Sequence, residues 1–381
     1  MTVIKELKIC APNPDSCEDL IKSQLPGVHV YDYTCNGQTT EVTRDIKNVS
    51  VYQEGEGPYQ YAISEGSLVE EQGDVVAVAE FNHGTFNWSI VADGVLQSSL
   101  THIVPRGGLT ALATMIKLDE TFPDSIRDVD EDLIVNAIAF GKPNQPYTYK
   151  GMSFQEAFDR SVVRWIRNSF SEAKTQWKKV RGRDWVNSIN KILCSGGAAP
   201  LAQHWKNQIM AEVKVRREIS TPQSIEEADK MEQMANQIIQ CPNPRNSNAL
   251  GMLQIDPVEG FCLSVDFGYS AVKTANSNDV VSLTTSAIAI PFARIRSRDI
   301  REKSALIELK SGPLFDYLKR TGQPTSYIFG AAANSIMGAE KIISNAKEPY
   351  IPHAVLAVCA PQEMMPAESK KSRNTNITVS A

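Results

Sequence analysis

Phe261-Cys262-Leu263-Ser264-Val265-Asp266-Phe267-Gly268-Tyr269-Ser270-Ala271-Val272-Lys273 decides the fold of this 381-residue chain. An apolar, strand-like run ends in an aspartate, and a glycine two positions later lets the backbone turn tightly. A lysine follows. A carboxylate at a strand end can hold a hydrated divalent cation, and the lysine can neutralise an anion beside it. Taken alone, D-x-G-x-x-x-x-K describes equally well a hairpin turn with a solvated lysine.

Two more strand-to-loop units give that motif company. The run Asp74-Val-Val-Ala-Val-Ala-Glu80 breaks at Phe81-Asn82-His83-Gly84-Thr85 and resumes at Trp88-Ser-Ile-Val-Ala-Asp93-Gly94, which reads as two strands joined by a tight loop. Within Glu80-x-Asn82-x-Gly84-Thr85-x-Asn87, Glu80 can reach a metal-bound water, Asn82 can take a left-handed turn, and Thr85 can hydrogen-bond phosphate. The same stretch also fits an ordinary hairpin loop. His83 has no histidine or cysteine neighbour in sequence and reads as solvent-facing. The third unit is Ile192-Leu193-Cys194-Ser195-Gly196-Gly197-Ala198, where adjacent glycines let backbone lie against a ligand, or simply make a flexible loop. Pro200 to Trp205 reads as a helix start, and Asn248-Ala-Leu-Gly251-Met252 follows about fifty residues on. Three such units suggest two lobes clamping a phosphate chain.

The rest of the chain agrees with a two-domain α/β protein. Glu6 to Cys10 and Val28 to Tyr33 read as strands and Ser16 to Leu25 as a helix. From Asp128 to Val186 the period is helical, with Phe154, Phe158, Val162, Ile166 and Phe170 on one face. Gln254 to Gly260 reads as a connector, and Met364 to Ala381 as a polar, mobile tail. Hydrophobic residues make up 42% of the chain, enough for a sizeable core. With 44 acidic and 39 basic residues the net charge is −5, which gives no overall attraction to DNA phosphates or anionic lipid. The seven cysteines are scattered and odd in number, as expected of reduced thiols. MTVIKELKIC lacks a signal-peptide pattern, and no apolar stretch approaches the roughly 18 to 20 residues that span a bilayer. A soluble, cytoplasmic protein is expected.

These motifs resemble those of the bacterial actin-like ParM family of plasmid-segregation ATPases, over most of the chain except about 200 to 244 and the tail. Asp266-x-Gly268-x-x-x-x-Lys273 resembles that family's first phosphate motif. Glu80 to Asn87 stands where its second, D-x-G-x-x-T-x-D, belongs, with changes at Glu80, Asn82 and Asn87. Ile192 to Ala198 resembles its adenosine motif, and Asn248 to Met252 its closing N-A-x-G helix. The resemblance implies ATP or GTP (and ADP) with Mg²⁺ as cofactors, Asp266 and Glu80 holding the metal. It implies Gly268, Tyr269, Ser270, Lys273, Asn82, Gly84 and Thr85 at the phosphates, and Gly196, Gly197 and Ala198 at the nucleoside. Val49-Ser-Val-Tyr52-Gln-Glu54-Gly-Glu-Gly57 resembles the strand and loop that carry the family's water-activating glutamate. Glu54 is the candidate, with Glu56 as fallback and a solvated acidic turn as the alternative.

The order of the pieces is rotated. The strand that opens the chain in the family comes here at residue 266, after the second phosphate motif, the adenosine motif and the closing helix. The resemblance therefore implies a circularly permuted, two-domain actin-like ATPase fold. Domain I is expected at 1–76 with 245–381 and domain II at 77–244, with nucleotide in the cleft between them. Residues 254–260 would join the old ends, and Ser326 to Gly330 through His353 to Cys359 would supply helices of domain I. The implied function is nucleotide-driven polymerisation into filaments that position DNA through a DNA-binding adaptor, with no direct nucleic-acid or membrane contact. A sugar or acetate kinase and a pseudo-ATPase that holds nucleotide without hydrolysis remain as rivals.

Overall fold

The computed structural model describes residues 2–11, 14–35, 38–139, 141, 145–267, 271–278, 281–285, 287–288, 314–318, 324–328 and 340–341. The chain forms two units, one of residues 1–9, 14–51 and 256–381, the other of residues 10–13 and 52–255.

The first unit opens with β1 (Thr2–Ala11), α1 (Glu18–Gln24), β2 (Gly27–Cys35) and β3 (Gln38–Gln53). β2 and β3 pair antiparallel from Gly27 opposite Ile46 to Cys35 opposite Gln38. β3 is far longer than the short strand expected ahead of Glu54.

The second unit follows, with α2 (Glu56–Ser64), β4 (Val75–Phe81), β5 (Thr85–Ala92), β6 (Val95–Leu96), β7 (His102–Pro105), α3 (Leu109–Leu118) and α4 (Glu131–Ala139). A small hairpin, β8 (Thr148–Tyr149) and β9 (Met152–Ser153), leads into α5 (Gln155–Arg181) and α6 (Arg183–Val186). β10 (Lys191–Ser195), α7 (Ala202–Ile219), α8 (Pro222–Asn236), β11 (Ile238–Gln240) and α9 (Ser247–Met252) complete it. β4 has no exposed residue because both its faces are covered. Val75, Ala77, Ala79 and Phe81 enter a large core, while Val76 and Val78 enter a smaller one with Tyr59 and Ala62 of α2. That two-sided burial explains why the strand reads as a continuous apolar run rather than an alternating one.

The large core is aromatic. Phe86 and Trp88 stack with ring centroids 5.3 Å apart, and Phe158, Val162, Ile166 and Trp177 of α5 join them at helical spacing. Trp88 donates its indole N–H to Ser169 Oγ at 2.8 Å, and Trp177 donates to the Leu100 carbonyl at 2.7 Å. α7 ends at Ser220 in a left-handed conformation, and α8 opens with a capping box in which Thr221 and Ser224 bond reciprocally.

The chain then returns to the first unit with β12 (Cys262–Phe267), β13 (Ala271–Asn276), β14 (Val281–Thr285), β15 (Ala287–Ile288), β16 (Leu314–Leu318), β17 (Pro324–Ile328) and β18 (Glu340–Lys341). Its sheet runs β14-β13-β12-β1-β3-β2-β16-β17 among the described residues. Ser326 to Ile328, expected among helices, lie in β17, antiparallel to β16. The β-branched and aromatic residues Thr325, Tyr327 and Ile328 suit a strand. His353 to Cys359 and the tail from Met364 lie outside the described residues.

Part of the strand order is alike in the two sheets. In the second unit β4 pairs antiparallel with β5, β5 with β7, and on its other side β4 borders β10 and then β11, both parallel. In the first unit β12 pairs antiparallel with β13 and β13 with β14, and on its other side β12 borders β1 and then β3. No helix among the described residues is long and apolar enough to cross a membrane.

The units divide at 51/52 and 255/256, whereas 76/77 and 244/245 were expected. The difference is α2 and α9, which cross backbone to backbone within the second unit. A Cβ on Gly251 would lie 1.7 Å from the Gly57 carbonyl oxygen, and one on Gly57 would lie 2.6 Å from the Asn248 oxygen. Gly251→Ala is therefore predicted to lower stability by about 1–3 kcal/mol, the usual cost of overpacking, read as a lower urea midpoint.

Asp74 ties the starts of β4 and β10. Its carboxylate accepts from Lys191 Nζ at 2.5 Å, Asn190 Nδ2 at 2.7 Å and the Glu71 N–H at 2.8 Å. Burial alone would raise its pKa, but these donors together hold it below the ordinary carboxylate value. A depressed folded-state pKa adds stability above the unfolded value of about 3.9, and that stability is lost as pH falls through the folded value. Urea midpoints should therefore fall on acidification from pH 5 to pH 2.5, and Asp74→Asn should be less stable at pH 7 with a shallower acid loss.

Candidate functional site

The alternation of β5 sets the site. Phe86, Trp88 and Ile90 enter the aromatic core, so Asn87 and Ser89 lie on the opposite face, where α2 packs. By the same parity Glu80 shares its face with Val76 and Val78, and Ser195 shares its face with Leu193. Register lines three of these up across the sheet, Asn87 opposite Glu80 and Glu80 opposite Ser195, at the carboxyl ends of the parallel strands β4 and β10. Open α/β sheets bind ligands at such ends.

Each carboxylate of this row has an amide partner. Glu80, 1% exposed, accepts from Asn248 Nδ2 of α9 at 2.5 Å. Glu54, 7% exposed, accepts from Asn87 Nδ2, while its own carbonyl accepts from Ser89 Oγ at 3.1 Å and its N–H donates to the Ala11 carbonyl at 3.2 Å. The chain reaches this position through Gly55, whose φ is +96° and whose Cβ would meet Ser89 at 2.5 Å. Only glycine fits there. Asn87 Oδ1, Asn248 Oδ1 and Ser195 Oγ are buried without a hydrogen-bond partner among the described residues. Glu56 is the first residue of α2.

The loop after β4 is held by α3. Asn82 and His83 offer their carbonyls to the N–H groups of Leu109 and Thr110 at 3.1 and 3.2 Å, capping that helix. A Cβ on Gly108 would lie 2.5 Å from both oxygens. Asn82 does not take the left-handed turn open to its residue type; its N–H donates to the Thr85 carbonyl at 3.2 Å in a conventional loop that also contains Gly84. His83 is not simply solvent-facing either, since its Nε2 lies 3.4 Å from Asp132 Oδ1.

At the end of β10, Gly196 has φ +87° and donates its N–H to the Pro244 carbonyl at 2.8 Å, and Ala198 donates to the Phe81 carbonyl at 3.1 Å. Gly197 is exposed with no atom near its Cβ position. It lines, with Ala198, Leu109, Ile138, Tyr147 and His204, a cavity of about 780 Å³. Burial holds the His204 imidazole below its usual range, opposed by Asp159, so the ring is neutral at physiological pH.

In the first unit Asp266 and Lys273 face each other across the β12–β13 hairpin and form a buried ion pair at 2.8 Å. Lysine 273 is thus bonded to the aspartate rather than solvated. Gly268, Tyr269 and Ser270 lie outside the described residues. No group of three or more His, Cys, Asp or Glu side chains among the described residues is placed to hold a metal directly. Glu80, the Asn248 amide oxygen and the Ser195 hydroxyl are the oxygen donors that would hold a hydrated divalent cation such as Mg²⁺ in this row.

No family model and no curated protein matches the sequence. Among solved structures, the chain is similar to Ta0583, an archaeal actin homologue, in complex with ADP, at 16% identity and TM-score 0.46 over 66% of this chain and 71% of that one. It is similar to the actin-like protein Alp7A at 14% identity and TM-score 0.46, over 66% of each chain. A 15-stranded ParM filament from Clostridium botulinum matches at 15% identity and TM-score 0.42, over 65% of each chain. The fold is mixed α/β, and the structures it resembles are actin homologues.

The two glycines after β10 make different demands. Gly196→Ala is predicted to destabilise by about 1–3 kcal/mol, through both its left-handed backbone and the Phe81 main chain 2.6 Å from a new Cβ. Gly197→Ala should stay within about 0.5 kcal/mol of the parent. Paired urea titrations check both.

Proposed function

We propose that this chain is a circularly permuted, actin-like nucleotide triphosphatase that binds ATP or GTP with Mg²⁺ and polymerises into filaments that position DNA through an adaptor protein. The observation that carries the reading is the match between two hairpins. Asp266 is the penultimate residue of β12 and lies opposite Lys273, seven residues on; Glu80 is the penultimate residue of β4 and lies opposite Asn87, also seven residues on. Each hairpin is flanked by at least one more strand on its second arm and by at least two strands beside its first. Two copies of one α/β design, each ending its first strand in a carboxylate, are what a duplicated phosphate-binding ATPase requires.

In this reading Asp266 and Glu80 each orient a magnesium-bound water, Lys273 exchanges Asp266 for phosphate oxygen, and Gly196, Gly197 and Ala198 receive the nucleoside. Asn82, Gly84 and Thr85 supply the second loop at the phosphates. Bound Mg²⁺ would neutralise the charge that develops on the phosphate oxygens. Glu54 orients the attacking water and accepts its proton. Filament formation and the adaptor are supported by the resemblance of the motifs, and the net charge of −5 agrees with indirect contact to DNA.

Pelleting and negative-stain electron microscopy with and without magnesium nucleotide test the proposal. Filaments are expected with nucleotide alone or with its slowly hydrolysed analogue. Glu54→Ala should still bind nucleotide and assemble, yet release phosphate at least about a hundredfold more slowly, the scale of a lost general base. A parent protein that neither binds nucleotide nor pellets with it would sink the reading.

A further inference from the structure

We infer that Asn87 is a positioning residue for Glu54, and that the asparagine at the last position of the second phosphate motif is a functional fit rather than a decayed aspartate. The inference rests on the reading of Glu54 as the residue that orients water.

The packing of β5 leaves Asn87 only one place to be. Phe86 and Trp88 on either side are fully buried in the aromatic core, and the Trp88 indole is bonded to Ser169. A one-residue slip would bury Asn87 among those rings, so its side chain is committed to the α2 face. There it is 2% exposed and its Nδ2 donates to Glu54 Oε2. Ser89, two residues on and on the same face, holds the Glu54 carbonyl. Side chain and main chain of Glu54 are thus fixed from one strand, and Ala11 holds its N–H.

One hydrogen of the Asn87 amide nitrogen is committed to the Glu54 carboxylate, and the same amide presents its carbonyl oxygen as an acceptor. Asn87 Oδ1 is that acceptor, buried and without a partner among the described residues. A buried amide oxygen in that state is satisfied by water. A water that donates one hydrogen to Asn87 Oδ1 and the other to the Glu54 carboxylate keeps its lone pairs for attack. Its oxygen then bonds to the terminal phosphorus, the bond to the bridging oxygen breaks with its electron pair leaving on the nucleoside diphosphate, and the proton passes to Glu54. An aspartate at position 87 could not donate to Glu54 and would set a second carboxylate against it.

Asn87→Asp is the isosteric test, and Asn87→Ala removes the amide altogether. Both should bind nucleotide within about threefold of the parent and keep KM, while kcat falls about 10- to 100-fold, the range for losing a group that orients another. In an Asn87→Ala/Glu54→Gln double variant the losses should not multiply, because both act through one carboxylate. In the unmutated protein labelled with ¹⁵N-asparagine, the Asn87 side-chain amide protons should exchange slowly with solvent and shift in Glu54→Gln. An Asn87→Asp protein with kcat within twofold of the parent, losses that multiply in the double variant, or an Asn87 amide that exchanges like a free one would each overturn the inference and leave the ATPase reading standing. A parent without nucleotide hydrolysis would overturn both.

Discussion

Gly57 and Gly251 touch backbone to backbone, and that contact sets where Glu54 and Asn248 meet the polar row of the second unit's sheet. α2 begins directly after Glu54 and Gly55, so fixing α2 against α9 fixes where Glu54 leaves β3. The same crossing brings Asn248, one turn before Gly251 on α9, to Glu80 at the end of β4. Side chains at either glycine would push the helices apart by more than a hydrogen bond can stretch. Two residues with no side chain thus determine whether two carboxylates meet their amide donors.

The sheet beneath those helices divides labour by parity. One face of β4 and β5 carries Phe81, Phe86 and Trp88 into a core sealed by α5, and each large aromatic contributes roughly 1.5–3 kcal/mol on burial. The other face, continued by β10, carries the polar residues Glu80, Asn87, Ser89 and Ser195. Burying a carboxylate is costly unless hydrogen bonds replace its water. The strongly packed face supplies the rigidity that keeps those bonds aligned on the other.

Much of this was legible in the sequence, and the missing part has a common physical origin. β4, β10 and α5 announce themselves because their periodicity is local: a continuous apolar run for a strand covered on both sides, three-and-four spacing for a helix. The turn residues after Asp266 and Glu80 marked both hairpins, but the pairing of Asp266 with Lys273 came from the structure, since the hairpin reading left that lysine solvated. What could not be read were pairings between distant residues. Asn87 meets Glu54 across 33 positions and Asn248 meets Glu80 across 168, and neither distance leaves a trace in spacing. The division of the units was hidden for the same reason, since α2 and α9 lie about half the chain apart. At Asn82, a residue type that tolerates a left-handed turn, the backbone takes none. Its backbone is conventional because the helix α3, not the turn, consumes its carbonyl.

The three departures from the D-x-G-x-x-T-x-D pattern therefore carry information. Glu80 is one methylene longer than aspartate, and its carboxylate reaches Asn248 on α9. Asn82 replaces a glycine at a position where no positive φ is required, so the substitution costs no backbone strain. Asn87 replaces a carboxylate beside a buried glutamate, where a second negative charge would be hardest to accommodate and an amide donor is most useful. Here each altered side chain or backbone meets a local requirement, and the two that enter the polar row are bonded to groups brought there by α2 and α9. In the proposed ATPase these are the changes of a site built around two glutamates, each held by an amide donor.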